Sequence, residues 1–117
     1  MTRTVVPRDR TWPPARLDAL TRDGGVCQRC GDEATAVHHR RVRGMGGGMD
    51  DPTRHRPDRL VSLCAACHRW VHGNPFQAKA GGWIVPRPQR TEDTPVQARS
   101  GWLLLAVDGS TYPVAAA

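Results

Sequence analysis

Aromatic residues are scarce in this 117-residue chain, with one Phe, one Tyr and four Trp. Apolar residues make up only 38% of it, below the usual share. A core built from so little is thin, and a chain of this length holds one small domain that needs an extra staple. Lysine is nearly absent, although Lys plus Arg outnumber Asp plus Glu by 17 to 11. The positive charge is therefore almost all guanidinium, whose planar fork suits phosphate oxygens. With a pI near 10.1, the expected partner is a polyanion, most simply DNA. No apolar run approaches the length of a membrane span, which excludes helical membrane insertion. The first ten residues, MTRTVVPRDR, carry no apolar signal core. A cytoplasmic protein is the expectation, and cysteines kept reduced there favour metal over disulfides.

Two spacings carry the chemistry. Cys27 and Cys30 form one C-x-x-C pair, Cys64 and Cys67 another. A tight C-x-x-C turn aims two thiolates at one ion, and two such turns complete a tetrahedral sulfur shell, usually around zinc. A redox C-x-x-C motif would need a βαβ context that this sequence lacks. A closed four-cysteine site has no open position, so its zinc is expected to be structural. The second spacing is His68 with His72. Residues four apart share a helix face, and such a pair can chelate one ion.

The adjacent pair His38-His39 adds to this. In an extended segment, neighbouring side chains point to opposite sides, so one ion does not take both. A division of labour follows. One histidine joins His68 at a metal, and the other stays metal-free as a general base.

The local pattern predicts a small α+β fold. PPARLDALTRDGG reads as a short helix with Leu17 and Leu20 on one face, stopped by Gly24-Gly25. TAVHHR is extended, RLVSLC is a strand, and AACHRWVH is a helix ending at Gly73-Asn74. PFQAKA follows as a second short helix, WIVP as a short strand, and GWLLLAVDGSTYPV as a hairpin turning at Asp108-Gly109. RPQRTEDTPVQARS reads as loop. Knuckle, β-hairpin and helix in that order describe a treble-clef zinc fold. The expected organisation is a basic arm and helix over 1–24, a zinc-stapled core over 25–74, and an elaboration of the same domain over 75–117.

The segments CQRCG, VHHRRVRGMGG and DRLVSLCAACHRWVHGNP resemble an HNH endonuclease of the type common in phages and actinobacteria. The resemblance spans roughly residues 12–85. It implies a ββα-metal finger embedded in the zinc-bound fold, and hydrolysis of DNA phosphodiesters to 5′-phosphate and 3′-hydroxyl ends. It implies that His38 is a metal ligand, His39 the base that activates water, and His68 and His72 the further ligands. Where the family has a bracing Asn, five residues before the third cysteine, this chain has Arg59 with Asp58 beside it. The brace is then Asp58, or the loop is held in another way. One catalytic divalent ion is implied; three imidazoles favour Zn²⁺ or Ni²⁺, while relatives work with Mg²⁺ or Mn²⁺.

Arg40, Arg41, Arg43, Arg54, Arg56 and Arg69 are the candidate DNA-backbone contacts, which position without specifying sequence. Gly44, Gly46, Gly47 and Gly48 give a loop that can pass close to DNA. His55 is expected to be incidental, and Trp70 to pack in the core. The competing reading is a zinc-finger module that binds DNA without cutting it. It has no need of the HH dipeptide or of C-H-x-x-x-H. Relatives serve in several settings, and a phage packaging terminase is one candidate partner.

Overall fold

The computed structural model describes residues 12–41 and 52–115. Arg43 and the glycines at 44 and 46–48 lie outside the described residues. Helix α1 runs Trp12–Arg22, with Pro13 and Pro14 in its first turn. There a missing N–H costs nothing, and the fixed φ suits a helix start. Strands β1 (Ala36–His39) and β2 (Leu60–Leu63) pair antiparallel, from Ala36 opposite Leu63 to His39 opposite Leu60. Helix α2 (Ala65–Gly73) follows β2 directly and α3 (Pro75–Ala80) follows α2. Strands β3 (Val96–Ala98), β4 (Gly101–Leu105) and β5 (Thr111–Pro113) form an antiparallel sheet in that order. The fold is α+β, and no helix among the described residues is long and apolar enough to cross a membrane.

The β1–β2 hairpin separates two apolar clusters, and the period-2 alternation of strands decides which residue joins which. Leu60 and Val37 pack with Ala15 and Ala19 of α1. Val61 and Leu63 point the other way, into a cluster with Cys27, Cys67, Val71, Trp83, Val96 and Leu105. All four residues of β2 are buried for this reason. The C-terminal elements thus share a core with the cysteine region.

Helix α1 differs from the sequence expectation in one respect. Leu17 is 63% exposed, and the buried stripe is Ala15 and Ala19, flanked by Trp12 and Leu20. Small residues let the helix lie close on the hairpin. Its end is pinned by polar contacts: the Asp23 carboxylate accepts from the Ser62 N–H at 3.0 Å, and Arg22 donates to the carbonyls of Pro57 and Leu60.

The expected strand at WIVP is absent. Trp83, Ile84 and Val85 are buried in irregular backbone, with the Trp83 N–H on the Ala78 carbonyl and the Val85 N–H on the Arg40 carbonyl. Gly82 just before them has φ +79°, and a Cβ there would meet the Pro95 carbonyl oxygen at 2.0 Å. Only glycine permits both that backbone conformation and that approach. The expected β4–β5 hairpin is present, but β3 joins it in a segment the sequence reading assigns to loop.

Candidate metal centres

The four cysteine sulfurs lie within 4.8 Å of one another. Cys27 and Cys30 sit on a turn closed by the Val26–Glu33 bridge and by the Gly31 N–H on the Cys27 carbonyl. Cys64 is the N-cap of α2 and accepts from the Cys67 N–H, and Cys67 lies one turn in. The Cys30 and Cys64 sulfurs are 3.7 Å apart. A disulfide needs about 2.05 Å. Zinc–sulfur bonds of about 2.3 Å in a tetrahedron give an edge of roughly 3.8 Å. The spacing is therefore that of a metal shell, and all four thiols are free.

The sulfurs are also dressed for negative charge. The Cys30 N–H reaches Cys27 Sγ at 3.4 Å, the Asp32 N–H reaches Cys30 Sγ at 3.5 Å, and Arg29 Nη1 reaches Cys67 Sγ at 3.4 Å. Burial opposes ionisation of Cys27, yet backbone N–H groups of Cys64, Cys30 and Arg29 bring its pKa down to about 7. At Cys30 the Asp32 N–H favours the thiolate. Burial and the three neighbouring cysteines outweigh it and push the pKa up to about 12. Four thiolates this close need a cation to coexist. Arg29 also lies 3.6 Å over the Trp70 ring, so that tryptophan covers the site as well as packing on the core.

The second cluster is built from β1 and α2. Alternation puts Val37 and His39 on the face of β1 toward α1 and His38 on the opposite face. The His38, His68 and His72 ligand nitrogens lie within 4.8 Å of one another. The ring centroids are 5.2 Å apart for His38–His68, 5.5 Å for His38–His72 and 4.9 Å for His68–His72. The Nε2 atoms of His68 and His72 are 3.3 Å apart. Metal–nitrogen bonds of 2.0–2.1 Å in a tetrahedron give an edge of roughly 3.3–3.4 Å.

His38 is oriented by the backbone: its Nε2 lies 2.7 Å from the Trp83 carbonyl oxygen. A carbonyl only accepts, so Nε2 carries the proton and Nδ1 holds the lone pair. A histidine whose second nitrogen donates to a carbonyl is the usual arrangement for a ligand. Burial lowers the His38 pKa to about 3, with His68, His72 and His39 adding to the fall against the pull of the Trp83 carbonyl. The ring is neutral at physiological pH. His68 is lowered too, by burial and by His72. His38 is buried, His68 half-buried and His72 exposed. Three imidazole nitrogens this close could together hold one metal ion.

His39 stands apart from this cluster. Its ring stacks on Trp12 with centroids 4.9 Å apart, and its Nε2 lies 3.1 Å from His55 Nδ1. His55 is thus not incidental, as the sequence reading has it. Nothing in the sequence signals the contact, because the two histidines are 16 positions apart.

Asp58 does not brace His39. Its buried carboxylate takes Arg56 Nε at 2.6 Å and the Thr91 hydroxyl. Burial opposes its charge, but Arg56 and Thr91 hold the carboxyl below the ordinary carboxylate range. Arg59 joins the hairpin through its carbonyl, which accepts from the Arg40 N–H at 2.8 Å.

The arginines divide as well. Arg40 is fully buried, so it is not a DNA contact. Its guanidinium donates to the carbonyls of Gly82, Asp58, Thr91 and Thr94. Arg41 is largely buried and donates to the Gln89 carbonyl. Arg56 is 26% exposed and pairs with Asp58 and Glu92. Arg54 is half-buried and Arg69 is exposed on α2. A cleft of about 410 Å³ is lined by Arg41, Arg56, Arg59, Arg87, Arg90 and Glu92, among others. Arg87 and Arg90 come from the segment the sequence reading treats as plain loop. No family model, curated protein or solved structure matches the chain.

Proposed function

We propose that the chain is a metal-dependent DNA endonuclease of the HNH type, a treble-clef ββα-metal fold with a structural zinc on the four cysteines. The observation that carries this reading is the separation of two adjacent histidines. His38 faces His68 and His72, while His39 faces away from them beside Trp12 and His55. A module that only binds DNA has no use for a three-imidazole cluster with a spare histidine beside it.

In this reading His39 takes a proton from water as the water oxygen attacks the scissile phosphorus. The new P–O bond forms as the bond to the 3′ oxygen breaks, and that oxygen takes a proton from solvent water, leaving 5′-phosphate and 3′-hydroxyl ends. His38, His68 and His72 would hold a divalent ion, which would supply Lewis-acid stabilisation of charge on the phosphate and the leaving oxygen. The Trp83 carbonyl takes the His38 Nε2 proton, which leaves Nδ1 as the nitrogen that would bind the ion. The arginine-lined cleft, with Glu92 as the carboxylate in its lining, receives the DNA backbone.

A supercoiled-plasmid assay with Mg²⁺, Mn²⁺, Ni²⁺ or Zn²⁺ tests the reading. The wild type is expected to nick or linearise the plasmid with at least one ion. Removing a positioned base costs about 10²–10⁴ in rate, so His39→Ala is expected to fall by that factor while staying folded. Retention of plasmid on the protein with no cleavage under any ion would instead favour the binding module. Full activity in His39→Ala would remove the histidine from the chemistry.

A further inference from the structure

Phe76 is the chain's one phenylalanine, and it stands in solvent. It is 82% exposed, more than any other large apolar residue among the described ones. The only buried side chain of α3 is Ala78. Two steps along a helix turn a side chain by about 200°, so burying Ala78 sends Phe76 outward. The helix is nonetheless firmly placed. The carbonyls of Asn74, Gln77, Ala78 and Lys79 accept from the N–H groups of Ala78, Gly81, Trp83 and Gly82, and Asn74 Nδ2 donates to the Trp70 carbonyl at the joint with α2. Trp83 ties α3 to the histidine cluster, since its N–H is on the Ala78 carbonyl and its own carbonyl accepts from His38 Nε2. Phe76 is also four residues after His72, a separation that extended chain spans in at most about 14 Å. The surroundings carry one sign of charge. From Arg59 to Thr91 the sequence has no Asp or Glu, and Lys79, the chain's one lysine, is exposed three residues after Phe76 on the same side of α3.

We propose that Phe76 is a base-contacting wedge. It enters DNA within a few base steps of the phosphate at the histidine cluster and stacks on a partly unstacked base, while Lys79 takes a backbone phosphate beside it. The inference rests on the reading of the chain as a DNA endonuclease that cuts at that cluster. A single exposed hydrophobe is ordinary on a protein surface. An aromatic ring on a tethered helix, beside a cation and away from carboxylates in sequence, is the combination that suits a polyanion with flat apolar faces. Because α3 is already held in place, little freedom is lost when the ring stacks. Entering a duplex costs base stacking, and the cost is least where a base is mismatched or unpaired. The ring therefore makes the site favour DNA that opens easily beside the cut. Phosphate contacts alone give no such preference, because they position the backbone without sensing the bases.

Fluorescence anisotropy of labelled duplexes tests the wedge with the zinc-loaded full chain, without added Mg²⁺ or Mn²⁺, and a denaturing gel records whether the strands are cut. The wild type is expected to bind a duplex with one central mismatch more tightly than its matched counterpart. Phe76→Ala is expected to lose affinity on the order of 10-fold, the size of one base–aromatic stack, and to lose the mismatch preference. Its salt dependence stays that of the wild type, because no charge is removed. Phe76→Trp keeps both affinity and preference. Lys79→Ala does the reverse of Phe76→Ala: the slope of log affinity against log salt falls by about one, and the mismatch preference stays. Melting temperature and zinc content establish that each variant is folded. A Phe76→Ala that binds both duplexes as the wild type does, or a Phe76→Trp no better than Phe76→Ala, would overturn the inference. So would Phe76-dependent attachment to vesicles of anionic lipid with DNA binding indifferent to the residue, which would make the ring a membrane contact. A wild type that binds DNA but cuts none with any ion would end the nuclease reading, while the variants would still decide the wedge. A wild type that binds no DNA would end both.

Discussion

Replacing Arg40 with methionine keeps most of the side-chain volume and removes the guanidinium. In the wild type that group donates to Gly82 O at 2.9 Å, Asp58 O at 2.8 Å and Thr91 O at 3.3 Å, and also to Thr94 O. These carbonyls come from three separate stretches, so one side chain ties β1 to the turn before β2 and to the 81–94 segment. Burial lowers the Arg40 pKa only to about 10, against the pull of Asp58, so the group stays charged at neutral pH. Each charged hydrogen bond is worth about 1.5–3 kcal/mol, but such values do not add, because water and backbone shifts recover part of the loss. The measured cost of breaking one side of a buried charge network, about 3–5 kcal/mol, is the better guide. A domain of this length has a total stability of about 6–18 kcal/mol. At roughly 4 °C per kcal/mol, the melting temperature should fall by about 12–20 °C, read by circular dichroism with zinc present. Arg40→Lys should fall nearly as far, because a single ammonium cannot reach four carbonyls. If either variant melts within about 2 °C of wild type, within the range of an ordinary surface substitution, the brace is not structural. Unchanged melting with weaker, salt-dependent DNA binding would return Arg40 to the role the sequence reading assigns it.

Chelation of metal is expected to unfold the chain, since a structural zinc supplies about 10 kcal/mol or more to folding. Loss of far-UV helix signal and red-shifted emission from buried Trp83 would report it, and a fold that survives complete metal removal would refute the staple. Acid should act partly through Asp58. Its folded pKa lies below the ordinary value of 3.8, so the stability it contributes is complete above that value and is lost as pH falls through the folded pKa. Asp58→Asn should therefore be less stable at neutral pH and lose less on acidification below about pH 4, compared by urea midpoints at each pH. A variant whose pH profile parallels the wild type would show that Asp58 carries no such linkage.

What was legible in the sequence was short-range. C-x-x-C turns, the i to i+4 histidine pair and the alternation of His38 and His39 each involve residues joined by a turn or a strand. Local geometry alone places them, and the structure brings the four cysteines together and the three histidines together. What was not legible depends on distant partners. Arg40 looks like its neighbours Arg41 and Arg43, and the carbonyls that take its guanidinium lie between 18 and 54 positions away. His55 meets His39 because α1 supplies Trp12 as a shared wall. Strand β3 is three residues after a proline, too short for a pattern, and exists because β4 offers it an edge. Trp83-Ile84-Val85 has strand-like composition but pairs with no strand, its N–H groups being taken by α3 and by Arg40. In α1 the apolar stripe follows close packing of Ala15 and Ala19, not the larger Leu17.

The division between His38 and His39 is the centre of the account, and metal content tests it most directly. Element analysis of purified, zinc- or nickel-loaded chain should give two ions in the wild type, two in His39→Ala and one in His38→Ala, with the cysteine-bound ion unaffected. Equal occupancy in both variants, whether both keep the second ion or both lose it, would contradict a strand that turns one histidine to the metal and the next to the water.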